Sequence, residues 1–231
     1  MNIGNKGGNM KMKNLLYILF PIACLYFIGS CKKSDDHYYD YNEKQTFDGS
    51  IYSYLSKQPH KFDSLILVLD YLPELKTFLD TEKGISFFAP SNKSFEIAIN
   101  NLNAQRKQRK LGPIYLEDIP IKLIDSLLYR YMMVEEYSTS ALLESKDGLS
   151  IPSYKKDYIM NIRAFNSTAS GLQNIGQLQI DLNDTNGLTT EKDWLKATTE
   201  LVDIKSNNGI LHVLNPYHEF GYGKIAKTLI K

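Results

Sequence analysis

Four short runs in this chain hold residue types whose spacing could do chemistry. Ser153-Tyr154-Lys155-Lys156 fits S-x-x-K, in which a nearby lysine activates a serine nucleophile, but the S-D-N and K-T-G partners of that chemistry are absent from the chain. Asp181, Asn183, Asp184 and Asn186 crowd oxygen donors before Gly187, as a calcium loop would. On the EF-hand template, however, Gly187 falls at position seven instead of six and the last position is Lys192 instead of a bidentate Glu, so the run reads as an Asn-Gly turn. Glu135-Glu136, read on a strand, point to opposite faces and cannot flank one bond as a glycosidase pair does. His212, between Leu211 and Val213, reads as a buried imidazole hydrogen-bonded to backbone. The remaining histidines, His37, His60 and His218, are scattered, and G-x-S-x-G, H-E-x-x-H and phosphate-loop patterns are absent. The chain is therefore expected not to be an enzyme and to need no metal or cofactor.

Composition narrows the partners. The 231 residues are 43% hydrophobic and 23% charged, with 27 Lys plus Arg against 26 Asp plus Glu, which is ordinary globular usage. Lys6, Lys11 and Lys13 are the only charges in residues 1–30, so without that segment the balance turns slightly acidic and offers no pull toward nucleic acid. Those lysines precede an uncharged run from Leu15 to Ile28, which is the order of a secretory signal and is shorter than the ~20 residues a spanning helix needs. Ile28-Gly29-Ser30-Cys31 resembles the lipobox of bacterial lipoproteins. The resemblance implies cleavage before Cys31, acylation of that cysteine with chains such as palmitate, and a membrane anchor. Asp35 and Asp36 resemble the export tags that send some lipoproteins to the outer face of the outer membrane, so the expected place is the outer membrane, facing the cell exterior. Cys24 would be lost with the signal, which leaves no disulfide and no thiolate chemistry.

Residues 31–47 read as the acylated cysteine and a flexible tether, and residues 48–224 as one domain. Apolar spacing from Gly49 to Leu79 predicts two or three short helices, with Pro73 opening one of them. Ile85 to Ala89 reads as a buried strand stopped by Pro90, followed by a helix that Ser91-Asn92 can cap. Leu111 to Asp118 is loop-like, Ile121 to Leu128 and Ser138 to Leu143 are helical, and from Leu149 the period changes to two. Leu201 to Ile204 and Ile210 to Leu214, joined by Asn207-Asn208-Gly209, read as a closing hairpin with Gly209 serving the turn. Helices first and strands later make an α+β domain.

Three separated segments resemble the fasciclin-like domain, FAS1, an adhesion module. Ile85 to Phe95, with Phe88, Ala89, Pro90, Asn92 and Phe95, is similar to the family's "TVFAPTNEAF" box. Asn207 to Leu214, with Asn208, Gly209 and His212, is similar to its closing "NGVIHVID" box, and Leu127 to Leu142 stands where the family has an intermediate segment. The resemblance runs from Ser50 to Leu214. It implies a wedge-shaped β-sandwich with a cluster of short helices, no active site, no cofactor, and adhesion or binding to protein or matrix partners. The family's Tyr-His pair, associated with integrin adhesion in animal members, falls on Arg130 and Tyr131 here, so that adhesion does not carry over.

Residues 150–196 form a longer segment than a minimal domain of this kind requires, and long insertions on a rigid scaffold are where binding specificity is placed. Tyr154, Tyr158 and Trp194 in that segment are candidate ligand contacts, since aromatic faces stack on sugar rings. Arg106, Lys107, Arg109 and Lys110 read as a solvated helix end whose cations complement the dipole. The expected partners are therefore a membrane through the lipid anchor and an unspecified protein or polysaccharide. An alternative is an accessory glycan-binding or docking component of an outer-membrane nutrient-uptake assembly.

Overall fold

The apolar spacing between Gly49 and Leu79 resolves into three helices: α1 (Ile51–Ser56), α2 (Asp63–Asp70) and α3 (Pro73–Thr81). The structure is a computed structural model that describes residues 45–156, 158–168 and 176–230; the signal segment, Cys31 and the tether as far as residue 44 lie outside the described residues. Ser50 caps α1 by accepting the Ser53 N–H, and Pro73 opens α3 where its missing N–H has no partner to lose. Ile51, Leu55, Leu65, Leu69, Leu75 and Leu79 turn the apolar sides of these helices fully inward.

Strand β1 (Ile85–Ala89) is buried along its whole length, with Phe87 and Phe88 on opposite faces. It leads into α4 (Asn92–Gln108). Ser91 occupies the cap position, but its hydroxyl bonds no amide of the helix. Asn92 instead ties the helix start to the preceding loop: its Oδ1 accepts from Ser64 N–H, its Nδ2 donates to the His60 carbonyl, and its own N–H donates to the Lys61 carbonyl. Further on come α5 (Ile121–Leu128), β2 (Met132–Met133), α6 (Thr139–Leu142), β3 (Leu149–Pro152), β4 (Ile159–Asn166), β5 (Leu178–Asp184), β6 (Leu195–Lys205), β7 (Gly209–Leu214) and α7 (Lys224–Leu229). Glu135 and Glu136 lie in the bend after β2 and not on a strand; they take the Tyr137 hydroxyl and the Lys205 ammonium respectively.

The fold is α+β. Seven strands form one sheet in the order β2-β1-β7-β6-β5-β4-β3, with β1 and β7 parallel and the remaining pairs antiparallel. The two segments that resemble the family boxes thus lie side by side, Ile85 opposite Gly209 and Phe88 opposite His212. Strand β6 is shared: Leu195 to Thr198 pairs with β5, and the rest pairs with β7 through two register shifts that locally disrupt the ladder.

Three boundaries differ from expectation. Gln45 to Phe47 belong to the domain, because Thr46 bridges Lys205 and Phe47 sets its ring edge-on to Tyr54 at 5.2 Å. At the other end Ile225, Ala226 and Ile230 are buried, so the domain runs past Lys224. Residues 150–196 are not a surface insertion: they supply most of β3, all of β4 and β5, and the start of β6, with Met160, Ile162, Ile180 and Leu182 wholly inside.

Gly209 opens β7 and does not sit in the turn, and its φ is outside the left-handed region. Glycine is needed there because a Cβ would stand 2.2 Å from the Ile85 carbonyl oxygen. Gly209→Ala must push β7 off β1, and we expect it to cost at least about 2 kcal/mol in urea unfolding.

Candidate functional site

The polar residues of the boxes are consumed inside the fold. His212 is fully buried, stacked on Phe88 at 4.8 Å; its Nδ1 accepts from Asp203 N–H at 3.2 Å and its Nε2–H donates to the Tyr137 carbonyl at 3.0 Å. Asp203 has a left-handed backbone, φ 56°, within the second register shift of β6, and its carboxylate takes the amide and hydroxyl of Thr139 at the start of α6. Ser86 donates to the Glu135 carbonyl and accepts from Tyr137 N–H, so residues 135–139 are fastened to the sheet at three points. Asn208 likewise bonds α1, α3 and the β6–β7 turn.

His218 is the second buried imidazole. The Tyr131 hydroxyl accepts from Gly221 N–H at 2.8 Å and shares a second hydrogen bond, also of 2.8 Å, with His218 Nε2. Both rings are neutral in the fold: burial lowers His212 to about 4, against the opposing pull of Asp203, and lowers His218 to about 3. Groups held below their unfolded value of ~6.5 gain protons first in the unfolded chain, so their stabilisation is full above that pH and is lost as the pH falls toward the folded values. Each imidazole should add a slope approaching about 1.4 kcal/mol per pH unit below ~6.5. Urea midpoints measured across that window test this, and a flat profile would contradict it.

The three aromatic residues marked out for ligand contact are not brought together. Tyr154 packs on Phe78 at 4.1 Å and on Tyr129 at 5.5 Å, Tyr158 lies under the Arg130 guanidinium at 3.3 Å, and Trp194 donates its indole N–H to the Leu188 carbonyl. Ser153 is buried with its hydroxyl turned to the Tyr154 carbonyl, and Lys155 reaches Glu74; the side chain of Lys156, the lysine of the S-x-x-K run, lies outside the described residues.

The oxygen-rich run does not converge either, because strand alternation sends its carboxylates to opposite faces. Asp184 faces the Arg130 Nε at 2.9 Å and the Lys224 Nζ at 3.1 Å, and Asn186 and Gly187 form the turn, both with positive φ. The guanidinium of Arg130 also donates to the Ser126 carbonyl. This buried ion cluster was missed in the sequence, where an arginine within the apolar run Leu127 to Met133 was the available signal.

Asp181 belongs to the other face. Arg163 on β4, Asp181 on β5 and Thr198 on β6 are direct register partners, so their side chains form one row across three strands. Asn161, Asn183 and Lys196 form the next row, while Ile162, Leu182 and Ala197 alternate to the core. Asp181 is buried and accepts from Thr198 Oγ1 at 2.7 Å; Lys196 Nζ stands 2.9 Å from it and Arg163 Nη2 3.4 Å. The buried carboxylate thus fixes two cations whose outer ends remain in solvent. With Lys146 and the partly exposed Phe165 they line an open cleft of about 640 Å³, at whose edge Glu191 also pairs with Arg163. Such an arrangement can hold an anion by pre-positioned charge.

No model of a known protein family and no curated protein matches this chain. Among solved structures it is similar to a FAS1 domain pair from the insect cell adhesion molecule Fasciclin I, at 15% sequence identity and a TM-score of 0.48, covering 72% of this chain and 49% of that one. The chain spans about half the length of that structure, and the likeness is one of fold.

Proposed function

We propose that this chain is a lipid-anchored surface protein that adheres to protein or matrix partners through a FAS1-like domain and does no chemistry on them. Export through residues 1–30 and acylation of Cys31 provide the anchor, and the acidic residues after Cys31 support an outward-facing position in the outer membrane. The observation that supports the binding role is where the polar groups stand: both imidazoles and Ser153 are tied into hydrogen bonds inside the fold, whereas Lys146 and the cations that Asp181 holds, Arg163 and Lys196, line an open cleft. That polar, cation-lined cleft also favours the second reading, a glycan-binding accessory of a nutrient-uptake assembly.

Retention of cells on a surface coated with their own extracellular polymer tests the adhesive role. Cells producing the wild type should be retained, and cells producing Cys31→Ala should lose the gain. Equal retention of both would overturn the anchored-adhesion reading.

A further inference from the structure

We infer that the cleft on the outer face of β4, β5 and β6 is a binding site for carboxylate-bearing polysaccharide, a polyuronate. This rests on the reading of the chain as a binding module and supplies its ligand class. Arg163 carries the argument. Its Nη2 edge leans on buried Asp181, while its Nη1 holds the exposed carboxylate of Glu191 at 2.9 Å. The solvent side of the guanidinium therefore already accepts a carboxylate, and Glu191 occupies the place of an external one. A planar fork selects carboxylate geometry over a simple point charge.

Lys196 and Lys146 add two cations along the same cleft, so successive acid groups on one polymer can be met together. Competition from Glu191 at Arg163 and from Asp181 at Lys196 keeps those contacts weak, which suits a repeating ligand better than an isolated acid. Phe165, partly exposed in the lining, offers a face on which a sugar ring can rest. An acidic peptide fits less well. The site lies on a sheet face, where the central strands have spent their backbone groups in the ladder, and extended peptides dock by pairing with a free strand edge.

The test is titration of the full-length protein, in detergent, with oligogalacturonate, a neutral glucan oligomer and oligoglutamate, followed by calorimetry. Oligogalacturonate should bind, more weakly as salt is raised, and the neutral oligomer should not. Lys146→Gln, an exposed residue with no ion pair among the described residues, should weaken binding by about fivefold without changing the unfolding midpoint. Arg163→Lys keeps the charge but loses the fork and should weaken it by about tenfold. Glu191→Gln removes the internal competitor and should tighten binding several-fold, a gain that no purely structural role of that ion pair produces. Absence of oligogalacturonate binding, or affinities unmoved by all three substitutions, would overturn the site. Equal or tighter binding of oligoglutamate would assign the cleft to acidic protein instead. If this inference fails while cells still adhere through the anchored protein, adhesion stands and only its ligand class falls.

Discussion

Asp184→Ala should cost about 3–5 kcal/mol of unfolding free energy, because it leaves a buried guanidinium without its counter-ion. Asp184 Oδ2 is shared by Arg130 and Lys224, and its Oδ1 accepts from Asn186 N–H at 2.9 Å. Lys224 also reaches Asn186 Oδ1 at 2.7 Å and can turn to water, but Arg130 keeps only the Ser126 carbonyl and the Tyr158 ring. For a domain of this size the loss corresponds to roughly 10 °C in Tm. The double replacement Arg130→Met with Asp184→Leu should recover a large part of the loss, since an apolar pair avoids desolvating either charge. Urea unfolding of the single and double variants measures both effects. A cost below about 1 kcal/mol for Asp184→Ala would show the cluster to be solvated.

Asn208→Ala should cost about 3 kcal/mol through a different mechanism, the orphaning of several buried backbone groups at once. The Asn208 Oδ1 accepts from Ile51 N–H at 2.8 Å and from the Ser206 hydroxyl at 3.1 Å. Its Nδ2 donates to the carbonyls of Leu79 at 3.1 Å and Glu82 at 2.9 Å. One amide thus joins the first turn of α1, the end of α3 and the loop entering β7. Asn208→Asp should be at least as harmful, because it keeps the acceptors but sets a buried carboxylate against two carbonyl oxygens. If Asp were tolerated while Ala was not, the donor half of this network would not be contributing.

Local periodicity made most elements legible before the structure. The three amphipathic helices, the short strand Ile85 to Ala89, α5 and the strands after Leu149 follow from the spacing of apolar residues, because that spacing reports which side is buried. It does not report which strand lies beside which. The parallel pairing of β1 with β7 is a long-range contact whose only sequence trace was the resemblance of both segments to one family. The close approach that demands Gly209 is likewise a property of the pair.

The cleft on β4, β5 and β6 was hidden for a related reason. Arg163, Asp181 and Thr198 alternate with core residues on their own strands, and this alternation is visible in the sequence; their alignment in one row depends on register, which is not. Aromatic type drew attention to Tyr154, Tyr158 and Trp194, yet residue type says nothing about direction, and two of the three rings are committed to internal contacts. The acid-rich run is divided by the same physics, since Asp181 and Asp184, three residues apart on one strand, project to opposite faces.

Surface protease digestion of intact cells producing the wild type beside Cys31→Ala, with lipid labelling of both, tests the central claim most directly. An anchored, outward-facing binding protein predicts a wild type that takes up lipid label and is cleaved from outside, and a Cys31→Ala variant that takes up no label and does not remain on the cell. A labelled wild type that stays protected would place the domain on the inner side of the membrane and contradict the account.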